Sequence, residues 1–235
     1  MNLELKILDL GKTTYQEAWK IQKELFEKRK KNTLQDTLIL TEHNPTITFG
    51  TNESWNVLHV SKKELKELNI EFFERTPRGG GAAYLGPGQL IGYTILDIFP
   101  HGGVLSFMKK LEETMILTAK DFGINIDRYD VMNPTTEKLY RATWYRNNGS
   151  AYVLCTKGIG ISPYKKGLYT HHGFSLNVNN EPSHFHLIDP CGFPLSEVKP
   201  ISMQELFGKR INIEEVKSSV IKNFTKVFNY EVKYG

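Results

Sequence analysis

Arg78-Gly79-Gly80-Gly81-Ala82-Ala83-Tyr84-Leu85-Gly86-Pro87-Gly88-Gln89 runs directly into Leu90-Ile91-Gly92-Tyr93-Thr94-Ile95-Leu96-Asp97-Ile98. The first half is too rich in glycine for any regular element, and the second is a β-rich apolar run. A glycine string that opens a strand is not a dinucleotide fingerprint, which opens a helix, and it lacks the Gly-Lys-Ser/Thr ending of a phosphate loop. Its glycines still let a ligand approach backbone N–H groups closely, and Arg78 places a cation at its entrance. A binding loop between strands is the expectation here, with a tight structural turn as the alternative.

Outward from this loop, elements of both kinds alternate without a regular βαβ rhythm. Residues 13–30 have helical spacing, with Tyr15, Ala18, Ile21 and Leu25 on one stripe and Thr13 or Thr14 as the cap. Asp36–Glu42, Thr46–Phe49 and Ile70–Arg75 are expected strands, and Ser61-Lys62-Lys63-Glu64 is a capping box opening a short helix to about Leu68. Pro77–Gly88 is expected to hold no regular element. Leu105–Phe122 reads as a helix with Leu105, Met108, Leu111, Met115 and Phe122 near one stripe. Residues 129–150 look like a long excursion or hairpin turning at Asn148-Gly149. Ala151–Ile161 and Phe174–Val178 are expected strands, followed by short and long helices at Met203–Leu206 and Ile213–Phe228. The expected class is α+β, a mixed and mainly antiparallel sheet with helices packed on it. One catalytic domain over 1–235 is expected, its C-terminal helix (206–235) packing on the rest.

The bulk numbers fit that picture. A chain of 235 residues, 40% hydrophobic and 24% charged, can bury a substantial core. No apolar run approaches the roughly 20 residues of a membrane helix. The N-terminal Met1-Asn2-Leu3-Glu4-Leu5-Lys6 mixes charge into its apolar positions, unlike a secretory or transit peptide. A cytoplasmic protein without membrane association is expected. The net charge of +4 is too mild to argue for nucleic acid, and Lys28-Arg29-Lys30-Lys31 suits a solvated helix end. Two cysteines, Cys155 and Cys191, provide neither a disulfide framework nor a metal spacing.

Two further segments carry chemistry. Asp189-Pro190-Cys191-Gly192 holds a cysteine between a stiff and a permissive residue, which can expose its sulfur. Lys157-Gly158-Ile159-Gly160-Ile161 places a lysine in a strand of small and apolar residues, where partial desolvation favours the neutral amine that serves as a base or nucleophile. Downstream, Tyr169-Thr170-His171-His172-Gly173-Phe174-Ser175-Leu176-Asn177-Val178-Asn179 brings two adjacent histidines. Neighbours on a strand face opposite ways, so at most one is expected at a given pocket.

Together these segments resemble the octanoyltransferase family, the lipoyl(octanoyl) transferases of the biotin/lipoate ligase fold. The family loop reads approximately RGG-x-x-x-YHGPGQ before a strand ending in LD or LN; here it is RGGGAAYLGPGQLIGYTILDI. The family's HG-x-(A/S)-LNVN block and PCG element are matched by His172–Asn179 and Pro190-Cys191-Gly192. Glu42-His43-Asn44-Pro45 and Gly50 are similar to its EH-x-P…G stretch. The resemblance spans about residues 5–205, and related ATP-using lipoate ligases lack the cysteine block.

The resemblance implies that Cys191 takes an octanoyl group from an acyl carrier protein thioester and passes it to a lysine of a lipoyl domain. That acceptor would belong to a dehydrogenase complex or to the glycine cleavage H protein. Lys157 would be the acid/base, no cofactor would be needed, and the enzyme would act as a monomer. Substrate binding would fall to Arg78, Gly79, Gly80, Gly81, Tyr84, Gly86, Gly88, Gln89, Gly158, Gly160, His172, Gly173 and Asn177, with backbone N–H groups near Gly79–Gly81 or Gly192 stabilising an oxyanion. Two departures stand out. Leu85 replaces the family's loop histidine, an absence that His171 could offset. The family lysine aligns with Cys155 when counted from Gly160, and with Lys157 when counted without gaps from His172 and Cys191. Lys157 is preferred because no insertion in 162–167 is then required. A lipoate or other acyl amidotransferase, an ATP-dependent ligase-like enzyme and a non-catalytic acyl- or carrier-protein-binding homologue are the alternatives.

Overall fold

The computed structural model describes residues 3–132, 139–147, 150–196 and 199–233. Its centre is a six-stranded mixed sheet in the order β10-β11-β6-β2-β1-β13. These strands are β1 (Leu3–Thr13), β2 (Asp36–His43), β6 (Gln89–Ile95), β10 (Cys155–Tyr164), β11 (Gly167–Asn177) and β13 (Tyr230–Lys233). The β10-β11-β6-β2 half is antiparallel, whereas β2, β1 and β13 run parallel.

Both faces of this sheet are covered, so β2 and β6 are buried at every position. The alternation of side chains sorts them. Ile39, Ile91, Tyr93 and Ile95 meet Ala18 of α1 (Tyr15–Lys30), and Leu38, Leu40, Leu90 and Leu96 meet α3 (Gly103–Asp121) and α5 (Ile213–Phe228) on the other side. The expected capping box at Ser61 opens α2 (Lys62–Glu67), and Thr14, one of the two candidate caps, opens α1 with a capping box of its own. The six-residue span Lys62–Glu67 makes α2 slightly shorter than expected.

A three-stranded sheet, β4-β3-β5, stands apart with its own core of Ile47, Tyr84, Phe185, Leu187 and Ile188. It comprises β3 (Thr46–Thr48), β4 (Glu71–Phe73) and β5 (Ala83–Leu85). β5 corrects the expectation of no regular element in the glycine-rich stretch: pairing with β3 supplies the hydrogen bonds that local sequence does not suggest. A four-stranded sheet of β7 (Ile126–Met132), β8 (Leu139–Asn147), β9 (Ser150–Val153) and β12 (Lys199–Pro200) occupies the stretch read as an excursion or hairpin. β8 and β9 pair antiparallel (Asn147 with Ser150), as the hairpin reading expects. The turn expected at 148–149 lies outside the described residues. The strand expected over 151–161 divides at Leu154 into β9 and β10. Leu105, assigned to the buried stripe of α3, is 79% exposed in the helix's first turn. Among the described residues, no helix is long and apolar enough to cross a membrane.

Candidate active site

The glycine-rich loop lies flat on β10. Gly79 N–H donates to Ile159 O at 2.9 Å, and a Cβ on Gly158 would stand 3.1 Å from Gly79 O. A side chain at 158 would therefore lift the loop. Arg78 braces the loop from within. Its Nε and Nη2 donate to Thr48 Oγ1 (3.1 and 2.8 Å), Nη2 also to Thr48 O (2.7 Å) and Gly81 O (2.8 Å), and Nη1 to Gly79 O (3.1 Å).

Beneath the loop, between β5, β6, β10 and β11, is a cavity of about 40 Å³. Ala83, Leu85, Ile91, Tyr15, Tyr93, Arg78, Lys157, Gly158, His172 and Gly173 are among its lining residues. That volume holds about one water, whose share of the liquid is ~30 Å³, so an acyl chain could enter only if the lining parted. Leu85, standing where the family loop has histidine, adds to the apolar side of this wall.

The α1 face of the site is an aromatic and imidazole layer. Tyr15 Oη and His172 Nε2 are 2.8 Å apart, as are His172 Nδ1 and His171 Nδ1; Trp19 stacks on His172. His43 Nε2 meets Tyr93 Oη at 2.6 Å. Here the strand rule of opposite-facing neighbours fails. His172 has φ +59°, a left-handed twist that turns both imidazoles onto α1. Burial pushes His171 and His43 down to about 4 and His172 well below its ordinary value, and it pushes Tyr15 up to about 12. The layer is neutral at physiological pH. An Nδ1–Nδ1 bond between two neutral imidazoles then requires complementary tautomers, one donating and one accepting.

Lys157, part of the cavity lining, extends its Nζ from a strand of small and apolar residues to Glu112 of α3. The other carboxylate oxygen of Glu112 accepts from Arg128 Nε at 3.0 Å. Cys155, two residues earlier, shares the Lys157 face of the strand as expected. Its thiol lies 3.0 Å from Thr143 Oγ1, and burial pushes it up to about 11, so Cys155 is a poor nucleophile.

The other sequence-derived candidates divide. Tyr84 turns away from the cavity into the small core and meets His184 Nδ1 at 2.9 Å, while its neighbours Ala83 and Leu85 line the cavity. Gln89 accepts from Gly86 N–H and donates to Asn177 Oδ1 (2.8 Å), and Asn177 Nδ2 donates to Val153 O and Ile201 O. Gly88 N–H donates to Glu42 at 2.7 Å. These groups tie strands together outside the cavity lining. A Cβ on Gly160 would strike the His171 ring, so this glycine serves close packing. The Gly192 N–H goes to Asp189 O (3.0 Å), and with Gly79 also engaged, Gly80 and Gly81 are the loop amides with no hydrogen-bond acceptor recorded among the described residues. Cys191 lies in the 3-10 turn Pro190–Gly192, which packs against β5 and the 3-10 turn Glu53–Trp55. Sequence reasoning missed Tyr15, Tyr93 and Glu112, whose residue types carry no local signal of a shared site.

Comparison with known proteins gives a consistent outcome. Residues 14–225 match the family described as the lipoyl protein ligase A/B catalytic domain. A protein of Desulforamulus reducens named octanoyltransferase is 35% identical over 231 residues, covering 97% of this chain and 93% of that protein. An octanoyltransferase of Caldicellulosiruptor saccharolyticus is 36% identical over 234 residues, covering 99% and 92%. In fold, the chain is similar to the T. acidophilum protein Ta0514, described as a putative lipoate protein ligase with bound lipoic acid (TM-score 0.69, 13% identity, 100% of this chain and 89% of that one).

Proposed function

Because this chain belongs to the lipoyl protein ligase A/B catalytic-domain family, we propose that it carries out acyl transfer through a covalent Cys191 intermediate with Lys157 as acid/base. The enzyme is an acyltransferase, and its activity is octanoyl transfer in protein lipoylation. The donor would be an octanoyl-acyl carrier protein and the acceptor a lysine of a lipoyl domain, met by a monomer in the cytoplasm.

In this scheme the Cys191 thiolate attacks the thioester carbonyl and the carrier thiolate leaves, taking a proton from the Lys157 ammonium. The acceptor amine then attacks the Cys191 thioester, gives its proton to Lys157 and expels the Cys191 thiolate. Thioester exchange is nearly balanced and amide formation runs downhill, so no nucleotide is consumed. The Gly80 and Gly81 N–H groups are the loop donors available to a tetrahedral oxyanion. An eight-carbon chain buried against Leu85 and Ile91 would contribute several kcal/mol, at about 0.8 kcal/mol per CH₂.

One observation carries this proposal: a turn from far along the chain, Pro190–Gly192, packs on β5, whose Ala83 and Leu85 line the same cavity as Lys157 and His172. The test is a transfer assay with octanoyl-acyl carrier protein and a purified lipoyl domain, without ATP. Octanoyl amide on the acceptor lysine is expected. Product that appears only with ATP, together with pyrophosphate release, would replace the proposal by ligase chemistry.

A further inference from the structure

The segment 50–59 touches both halves of the candidate site. Towards the glycine-rich loop, Thr51 N–H donates to Arg78 O (2.9 Å), Asn52 N–H to Gly80 O (3.1 Å), and Trp55 O accepts from Ala82 N–H (2.9 Å). Towards the cysteine turn, Leu58 bridges Ile188, His59 N–H donates to Leu187 O (2.8 Å), and His59 Nε2 lies 2.8 Å from Asp189 Oδ1. The strap thus bonds to 78–82 on one side and to 187–189 on the other. The two segments are registered through this strap.

Trp55 sits where the two directions meet. A Cβ on Gly81 would run into the Trp55 Cβ and carbonyl, and a Cβ on Gly192 would stand 2.8 Å from Trp55 Cγ and 2.9 Å from Cδ1. Glycine at both positions therefore lets one tryptophan lie against the loop and the cysteine turn at once. Gly192 also has φ +76°, so its backbone already excludes most side chains.

We propose that Trp55 is a positioning residue for acyl transfer, fixing the separation between the glycine-rich loop and the Cys191 turn. The proposal rests on Cys191 carrying the acyl group. A reacting sulfur and carbonyl must be held about 3–3.5 Å apart, and a displacement of about 1 Å costs about 100-fold in rate. Its role is exerted through the backbone at Gly81 and Gly192.

The test compares Trp55→Ala, Trp55→Leu and Trp55→Phe in the full chain. Acyl-enzyme formation from octanoyl-acyl carrier protein is followed in single turnovers, with amide hydrogen exchange at Gly192 and Phe193. Trp55→Ala is expected to slow acylation by about 10- to 100-fold. Half-saturation by donor should change little, the Gly192 amide should exchange faster, and Trp55→Phe should retain near wild-type rate. Trp55→Leu carries the comparison should the alanine variant not fold. Wild-type rates in the small-side-chain variants, or equal losses in Trp55→Phe, would overturn the proposal. A wild-type protein that takes up no acyl group would instead overturn the Cys191 chemistry. Trp55 would then be judged by exchange alone, with unchanged Gly192 protection in the variants ending the case.

Discussion

Glu112→Ala should destabilise the protein through a charge left behind. The Glu112 carboxylate is 5% exposed and is shared by Lys157 (14% exposed) and Arg128 (33%). Removing one partner of a buried ion pair costs about 3–5 kcal/mol. Arg128 is partly solvated and keeps Glu113 at 2.7 Å, so the lower end, about 3 kcal/mol, applies. In a chain of this size each kcal/mol shifts the melting midpoint by about 2–4 °C, giving a drop of about 6–12 °C. Glu112→Leu with Lys157→Met removes both charges and should return stability to within about 1 kcal/mol of wild type, since buried pairs are often replaceable by apolar residues. Octanoyl transfer should be lost in that double variant, which lacks the Lys157 amine. Thermal and urea unfolding measure the first effect and the transfer assay the second. A cost below about 0.5 kcal/mol for Glu112→Ala would mean that solvent screens the pair. Wild-type transfer by the stable double variant would refute any role for Lys157.

Alkylation with iodoacetamide at neutral pH should label Cys191 and spare Cys155, whose thiol burial pushes up to about 11; labelling of both in native protein would contradict that placement. Cys155→Ala should lose packing but keep transfer. Histidines 43, 171 and 172 have depressed folded values against about 6.5 unfolded, so the unfolded chain binds more protons below that pH. Their stability contribution is full above 6.5 and is lost as pH falls towards 4. The melting midpoint should drop across this window and drop less steeply in His171→Gln; parallel curves would refute it. Leu85→Ala removes apolar wall from the cavity and should shift donor preference from octanoyl towards decanoyl by about tenfold, read by competition between the two carrier-protein thioesters.

Much of the architecture was legible because it is written locally. Ile213–Phe228 shows helical spacing, Thr14 caps α1, and Ser61 carries a capping box that the structure forms. The glycine-rich loop and the Pro-Cys-Gly turn were visible as motifs, since each depends on backbone demands that only certain residues meet. What escaped depends on distant partners. β13 is four residues long and exists by lying parallel to β1 from the other end of the chain. β5 hides among glycines because β3 completes it. Glu112 reads as a surface charge on α3 until β10 and β7 bring Lys157 and Arg128 to it. The joint orientation of His171 and His172 follows from one positive φ, which a sequence of two histidines does not announce.

The most direct test of the account is the intact mass of the wild-type protein after incubation with octanoyl-acyl carrier protein and no acceptor. The expected result is one added octanoyl group, labile to hydroxylamine, mapped to Cys191 and absent from Cys191→Ala. An unmodified wild-type protein that nevertheless transfers octanoyl to a lipoyl domain, or an acyl group that persists in Cys191→Ala, would contradict it.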